Sequence, residues 1–459
     1  MGLLNRIRGW FSMLVQSKAK EEFNIEPISS AQMQSWINEC VNIYQGNPCW
    51  LDEDDHIDTI NMAKAVVSET ARLATLGIGI KLDGSARADW LQQQIDKVYF
   101  QLRHWVEYGC AYGTIILKPN GESIDLYTPD MFEIVHVSNG RSDGVLFHNW
   151  KKVGKKWYTR LEYHRFDGDL YLISNKCYVG DSKDDTKERV EISATPWNSL
   201  VGEATIANME KPLFGVFRTP QANNIDMDSP CGLPIFSEAV QELRDLDIAY
   251  SRNSKEIRDS KRLVMLDSDR VLPGGIGNLD RVSLPDYIKL VDGDTSTESD
   301  VYHEINPTLN TDTRLTGINA LLSQIGYKVG FSNGYFVFNE STGIQTATQV
   351  EADQQRTIQF IKDVRDKLES CLTDLIYSMN VFADLYGLAP LGEYEATCSF
   401  GDITYSYEYD KQTWYKYVTA GKIPFWYYLV KFEGFTEEDA KAIEQEAQPK
   451  VPTLFGGEE

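Results

Sequence analysis

The chain has 459 residues, 42% hydrophobic and 12% aromatic, which excludes global disorder and predicts two to four structural units. Its 68 acidic residues against 45 basic ones leave a formal charge of −23, so broad neutralisation of nucleic-acid phosphates is excluded and only local basic patches remain for such contact. Seven cysteines with no C-x-x-C pair, and six scattered histidines, argue against a zinc site and fit free thiols in a reducing compartment.

The first run, "MGLLNRIRGWFSMLVQSKAK", places Leu3, Leu4, Ile7, Trp10, Phe11, Leu14 and Val15 at helical spacing. Arg6 and Arg8 interrupt any signal-peptide core, and Arg6 stands where a myristoylation motif needs Ser or Thr. A basic amphipathic helix over 1–24 remains, docked either on its own subunit or on a partner or membrane surface. No run reaches the roughly 20 apolar residues of a transmembrane helix.

Residues 28–110 read mostly as helix, from the apolar spacing in "TINMAKAVVSETARLATLGI" and again from Trp90 to Val106. Between them and the first segment lies "LDEDDHIDT", with Asp52, Glu53, Asp54, Asp55, His56 and Asp58. Such oxygens could hold a hard cation, but adjacent carboxylates with no turn glycine point apart. The plainer account is an acidic linker that also caps the helix from Thr59.

Past Gly113 the period becomes two. Strands flank Asn120-Gly121, and "GVLFHNWKKVGKKWYTRLEYHRFDGDLYLISNKCYVGD" predicts three or more antiparallel strands with a tight turn at Asp167-Gly168. The basic hairpin Lys151, Lys152, Lys155 and Lys156 is a nucleic-acid contact or, more simply, a solvated sheet edge. The resulting fold class is α+β, helices first and sheet after.

After a Pro-Gly-Pro entry at Pro230, Gly232 and Pro234, helical spacing from Phe236 to Ile257 predicts a helix running to about Arg262. Its end carries Lys255, Arg258, Lys261 and Arg262, which the helix dipole alone would explain. Residues 263–307 read as a small β insert with strands at "LVML" and "YIKLVDG" and an acidic turn holding Asp292, Asp294, Glu298 and Asp300. A second helix over 311–328 follows, so two helices bracket the insert and bring its ends together if they pair antiparallel.

Next comes "GFSNGYFVFNESTGIQTATQVEAD", a long run whose only charged residue at neutral pH from Gly330 to Thr348 is Glu340. Lys328 lies just before it, and Gly330, Ser332, Asn333, Gly334, Tyr335, Phe336 and Asn339 give it an uncharged, turn-rich and aromatic character. A helix over 349–386 would be about 57 Å long and span more than one layer. "ATCSFGDITY" adds a strand, residues 407–447 return to helix with Thr436 and Asp439 as a capping box, and the tail frays.

No phosphate-binding loop, nucleophile elbow or H-E-x-x-H motif occurs, and no nucleophile–base pair can be named, so the expectation is a protein without enzymatic activity, metal or cofactor.

Four runs together resemble the portal proteins of long-tailed, Gram-positive siphophage-type bacteriophages: "PQANNIDMDSPCGLPIFSEAVQELRDLDIAYSRNSKEIRDSK", "GFSNGYFVFNESTGIQTATQV", "KWYTRLEYHRF" and "VTAGKIPFW…GFTEEDAKA". The likeness covers about residues 25–447 and keeps the family order. It implies a homo-oligomeric ring, usually of twelve subunits, at one capsid vertex of a virion assembled in the host cytoplasm, with no membrane. Double-stranded DNA would be packaged and ejected through the axis without sequence specificity.

On this likeness 25–230 is the wing, 231–262 and 311–328 the stem helices, 263–310 the clip, 329–348 the tunnel loop, 349–405 a long kinked helix and returning wing strand, and 406–459 the crown. The implied partners are the terminase large subunit, which would supply the motor chemistry, a head–tail adaptor at the clip, and major capsid and scaffold proteins. Within the tunnel loop, Gly330, Gly334 and Gly343 would permit movement, while Tyr335, Phe336 and Phe338 would pack on neighbouring subunits. The alternatives are a metal-dependent hydrolase built on residues 52–58 and a capsid shell protein without a channel.

Overall fold

Helices and strands alternate in blocks rather than strictly, giving mixed α and β structure along the chain. The computed structural model describes residues 17–447, except 52–55, 122, 183–185, 187, 261–262, 268–287, 292–301, 306–309, 339–346, 402–406 and 421; at 263–267, 288–291, 302–305, 347–353, 407–410, 412–413 and 445–447 it describes the backbone alone.

A helical segment over 17–23 buries Ala19 against Leu146, Leu161, Tyr163 and Tyr178 of a sheet, with Phe23 packed beside them. This part of the N-terminal segment docks on its own chain; 1–16 lie outside the described residues.

Helix α1 (Ala31–Tyr44) starts where the Ser30 side chain accepts from the Met33 N–H, and buries Met33, Ile37, Cys40 and Val41 at three and four spacing. Helix α2 (Met62–Ala74) starts three residues later than the expected Thr59, and its cap is Asn61, held in the left-handed region at φ 51°, and not a residue of the acidic linker. The Thr59 hydroxyl instead accepts from the Asn61 N–H at 2.9 Å and shapes the approach to the cap. Helices α3 (Ala86–Val98) and α4 (Leu102–Tyr112) form the stretch expected as one helix, divided by a 3₁₀ turn over Tyr99–Gln101.

Strand β1 (Gly79–Asp83) lies inside the region read as mostly helix, and it pairs antiparallel with β14 (Glu395–Ser399). Its partner is more than 300 residues away, so nothing local marks it.

Strands β2 (Thr114–Pro119), β3 (Ile124–Tyr127) and β10 (Gly215–Arg218) form one antiparallel sheet in the order β10-β2-β3. A second sheet runs β4-β5-β6-β7-β8, built from β4 (Phe132–Ser138), β5 (Arg141–Val153), β6 (Lys156–Asp167), β7 (Leu170–Gly180) and β8 (Glu188–Val190), with β9 (Glu203–Ala207) also on β7. The lysine hairpin joins β5 to β6, two central strands, so these lysines sit at an exposed tip and do not guard an edge as expected.

The helix after the Pro-Gly-Pro entry, α5 (Val240–Asp259), begins four residues later than Phe236 because Ser237–Ala239 form a 3₁₀ turn. It pairs with α6 (Thr311–Val329). Arg314 near the start of α6 meets Glu256 near the end of α5, and Lys328 at the end of α6 meets Glu242 near the start of α5 at 2.6 Å. The two helices are therefore antiparallel. Between them β11 (Leu263–Asp267) pairs parallel with β12 (Ile288–Val291) and antiparallel with β13 (Tyr302–Ile305), a third strand that the sequence reading lacked.

Helix α7 (Ala347–Tyr386) has 40 residues and packs on β10, β2, α2 and α3. Its length, about 60 Å, is anchored by two buried arginines. Arg365 donates to the carbonyls of Leu73 (2.9 Å) and Ala74 (3.1 Å) at the open end of α2 and to Gly401 (2.9 Å). Arg87, 1% exposed, donates to Asn380, Asp384, Ala389 and Pro390 and fixes the far end. The close approach of α7 to β10 needs glycine: a Cβ on Gly215 would lie 2.3 Å from the Cys371 carbonyl.

Three short helices close the chain: α8 (Tyr407–Thr419), α9 (Phe425–Glu433) and α10 (Glu437–Ala447). Thr436 and Asp439 meet at the start of α10, where the Asp439 N–H donates to the Thr436 hydroxyl at 3.2 Å. No described helix is long and apolar enough to cross a membrane.

Candidate functional site

The segment between α6 and α7 is built into the core at its first half. Gly330 ends α6 at φ +121°, and a Cβ there would lie 2.7 Å from the Phe360 ring, so only glycine lets the chain turn so close to α7. Phe331 then points inward with no exposure. Its ring centroid lies 4.9 Å from Tyr335, 4.8 Å from Phe336 and 5.7 Å from Phe360. Tilted and edge-on pairs of this kind add stability beyond apolar burial.

Polar contacts lock the same turn. The Ser332 N–H donates to the Thr357 hydroxyl at 2.8 Å, and the two hydroxyls lie 3.0 Å apart. The Tyr335 hydroxyl donates to Glu69, which also accepts from Arg72. Burial and the Glu69 carboxylate push the Tyr335 hydroxyl above its usual range, while the Arg72 hydrogen bond holds Glu69 below the usual carboxylate range. The Asn319 side chain holds Phe338 from both sides, accepting its N–H at 3.0 Å and donating to its carbonyl at 2.9 Å. Arg356 donates to the Tyr327 carbonyl at 2.8 Å and lies 3.9 Å over its ring.

The expected site residues divide accordingly. Gly330, Ser332, Gly334, Tyr335 and Phe336 share one turn with Asn333, which is exposed. Within the chain Tyr335 and Phe336 pack edge-on against one another, while Tyr335 and Phe338 keep exposed surface. Lys328 does not face outward as a free charge: it bonds Glu242 and the Glu238 carbonyl (3.1 Å). Lys255 and Arg258 are exposed at the end of α5. Lys261, Arg262, Asp292, Asp294, Glu298, Asp300, Asn339, Glu340 and Gly343 lie outside the described residues.

Of the acidic stretch, His56 and Asp58 are described, and the Asp58 N–H donates to the Ser251 hydroxyl at 2.9 Å, tying this segment to α5. Among the described residues no group of three or more His, Cys, Asp or Glu is placed to hold a metal ion.

Sequence reasoning missed a buried ionic cluster in the sheet layer. Glu162 accepts from Lys118, from Arg160 at 3.0 Å and from His164 at 3.0 Å, and His164 reaches the Tyr171 hydroxyl at 2.8 Å. Burial favours the neutral acid, but Lys118, Arg160 and His164 outweigh it and hold Glu162 well below the usual range. A signal was present: Arg160, Glu162 and His164 alternate along "RLEYH" and so share one face of β6.

Chemically, the turn presents aromatic and amide surface in a fixed geometry, with its nearest cation already paired. Such a surface suits contact and closure. No known family profile and no curated protein matches this chain.

Proposed function

We propose that the chain is the protomer of a bacteriophage portal, a ring at one capsid vertex through which double-stranded DNA enters and leaves. The observation that carries this reading is the antiparallel pair α5–α6 with a three-stranded sheet between its helices in the chain, followed by an uncharged turn and then a 40-residue helix. In a portal these are stem, clip, tunnel loop and long helix, in that order. A shell protein has no need of a paired stalk around an insert.

The electrostatics support a channel that seals around DNA without gripping it. With Lys328 held by Glu242, the described part of the turn exposes Asn333, Tyr335 and Phe338, none of them charged at neutral pH. A charge of −23 per subunit further disfavours adsorption of phosphate backbone. Terminase and adaptor would dock on the sheet end, capsid and scaffold proteins on the outer layers, and the motor chemistry would belong to the terminase.

End-on electron-microscope images and native mass measurement of the purified protein test the reading. Closed rings with a central channel are expected. A chain that stays monomeric at high concentration under every salt condition would overturn it.

A further inference from the structure

Near the end of the chain one aromatic-rich run carries lysines and no acid. Residues 411–432, "KQTWYKYVTAGKIPFWYYLVKF", contain four lysines, eight aromatic residues and no acid. They form most of α8 and all but the last residue of α9, and the small core of this unit uses only part of the aromatic set, burying Tyr428, Leu429 and Phe432. Tyr415, Tyr417 and Tyr427 remain 51%, 43% and 44% exposed.

The surplus is ordered as a stripe. Trp414 stacks on Tyr427 at 5.6 Å with an interplanar angle of 21°, and the Lys431 ammonium lies 3.7 Å over Trp414. Tyr417 lies one turn beyond Trp414 on α8, with Lys422 6.0 Å over its ring. Lys411 is bound to Glu433 at 2.9 Å, but among the described residues no carboxylate forms an ion pair with Lys416, Lys422 or Lys431.

We infer that this stripe binds single-stranded nucleic acid, with Lys422 and Lys431 on phosphates and Tyr417 and Tyr427 as stacking platforms for bases. Flat rings alternating with ammonium groups match a strand whose bases are free to unstack; a closed duplex offers only its phosphates. Lys422 and Lys431, neither in an ion pair among the described residues, stand over these rings and offer the phosphates their counter-charge. The inference does not depend on ring assembly.

Fluorescence anisotropy of the full chain with labelled dT20, a blunt 20-base-pair duplex and phosphatidylglycerol vesicles as competitor tests it. The dT20 strand is expected to bind at 50 mM salt and to weaken about sevenfold at 200 mM, as two phosphate contacts require. The double variant Lys422→Glu, Lys431→Glu should lose at least about tenfold. Tyr417→Ala and Tyr427→Ala should each lose about tenfold with an unchanged salt slope. Circular dichroism should be unaltered in all. Absence of binding at 50 mM, equal or tighter duplex binding, displacement by the vesicles, or undiminished binding by either class of variant would overturn the inference.

Discussion

Glu162 decides much at the scale of single residues. Replacing it with Gln leaves Lys118 and Arg160 buried beside a neutral amide, so Glu162→Gln should destabilise the fold by about 3 kcal/mol, read as a lower urea midpoint. His148, also buried, is a second test. Burial pushes its imidazole down to about 4, against a backbone hydrogen bond at Asp130 that raises it. The unfolded chain takes up this proton near pH 6.5 and the folded chain only near pH 4. Its contribution is therefore complete above about pH 6.5 and lost as pH falls toward 4, roughly 3 kcal/mol in all. His148→Leu should flatten that part of the stability profile between pH 7.5 and 4.5. Alternation along β6 made the polar face of Arg160, Glu162 and His164 legible in the sequence. Lys118 was not, because it arrives from β2, and only the folded arrangement brings it to Glu162.

Among elements, the helix pair was the most legible. Apolar spacing marked both α5 and α6, but their relative direction was left open in the sequence and is set by the pairs Glu256–Arg314 and Glu242–Lys328. Reversing one end tests it: Glu242→Lys or Lys328→Glu alone should each cost up to about 1 kcal/mol, since Lys328 is partly exposed, and the double reversal should restore most of it. Thermal unfolding of the four proteins gives the coupling. The turn after α6 was legible as uncharged and aromatic, but not as packed. Composition reports that Phe331, Tyr335 and Phe336 are aromatic; whether they face a neighbour or their own chain depends on Phe360, which comes from the following helix. Strands β1 and β14 were half visible: β14 has an alternating pattern, whereas β1 is five residues between two helices and exists through its distant partner.

For the whole molecule the governing quantity is charge. Subunits of −23 repel, so ring formation should be more complete at 300 mM than at 20 mM salt, which mass photometry at fixed protein concentration would measure. Falling assembly with added salt would instead mark an interface held by ion pairs. The two buried arginines matter at this scale too. Arg365 and Arg87 pin the long helix to the α2 and α3 ends of the helical layer, so that layer and α7 are joined at two points along the helix.

The aromatic turn also has a mechanical meaning. Helix α6 is a rod about 28 Å long, tied near both ends to α5, with the three-stranded sheet before it in the chain and Gly330 at its end. Because Phe331 is seated on Phe360, the rod ends in a socket and not in slack chain. Displacing the Gly330 end of the rod therefore means unseating Phe331 from α7.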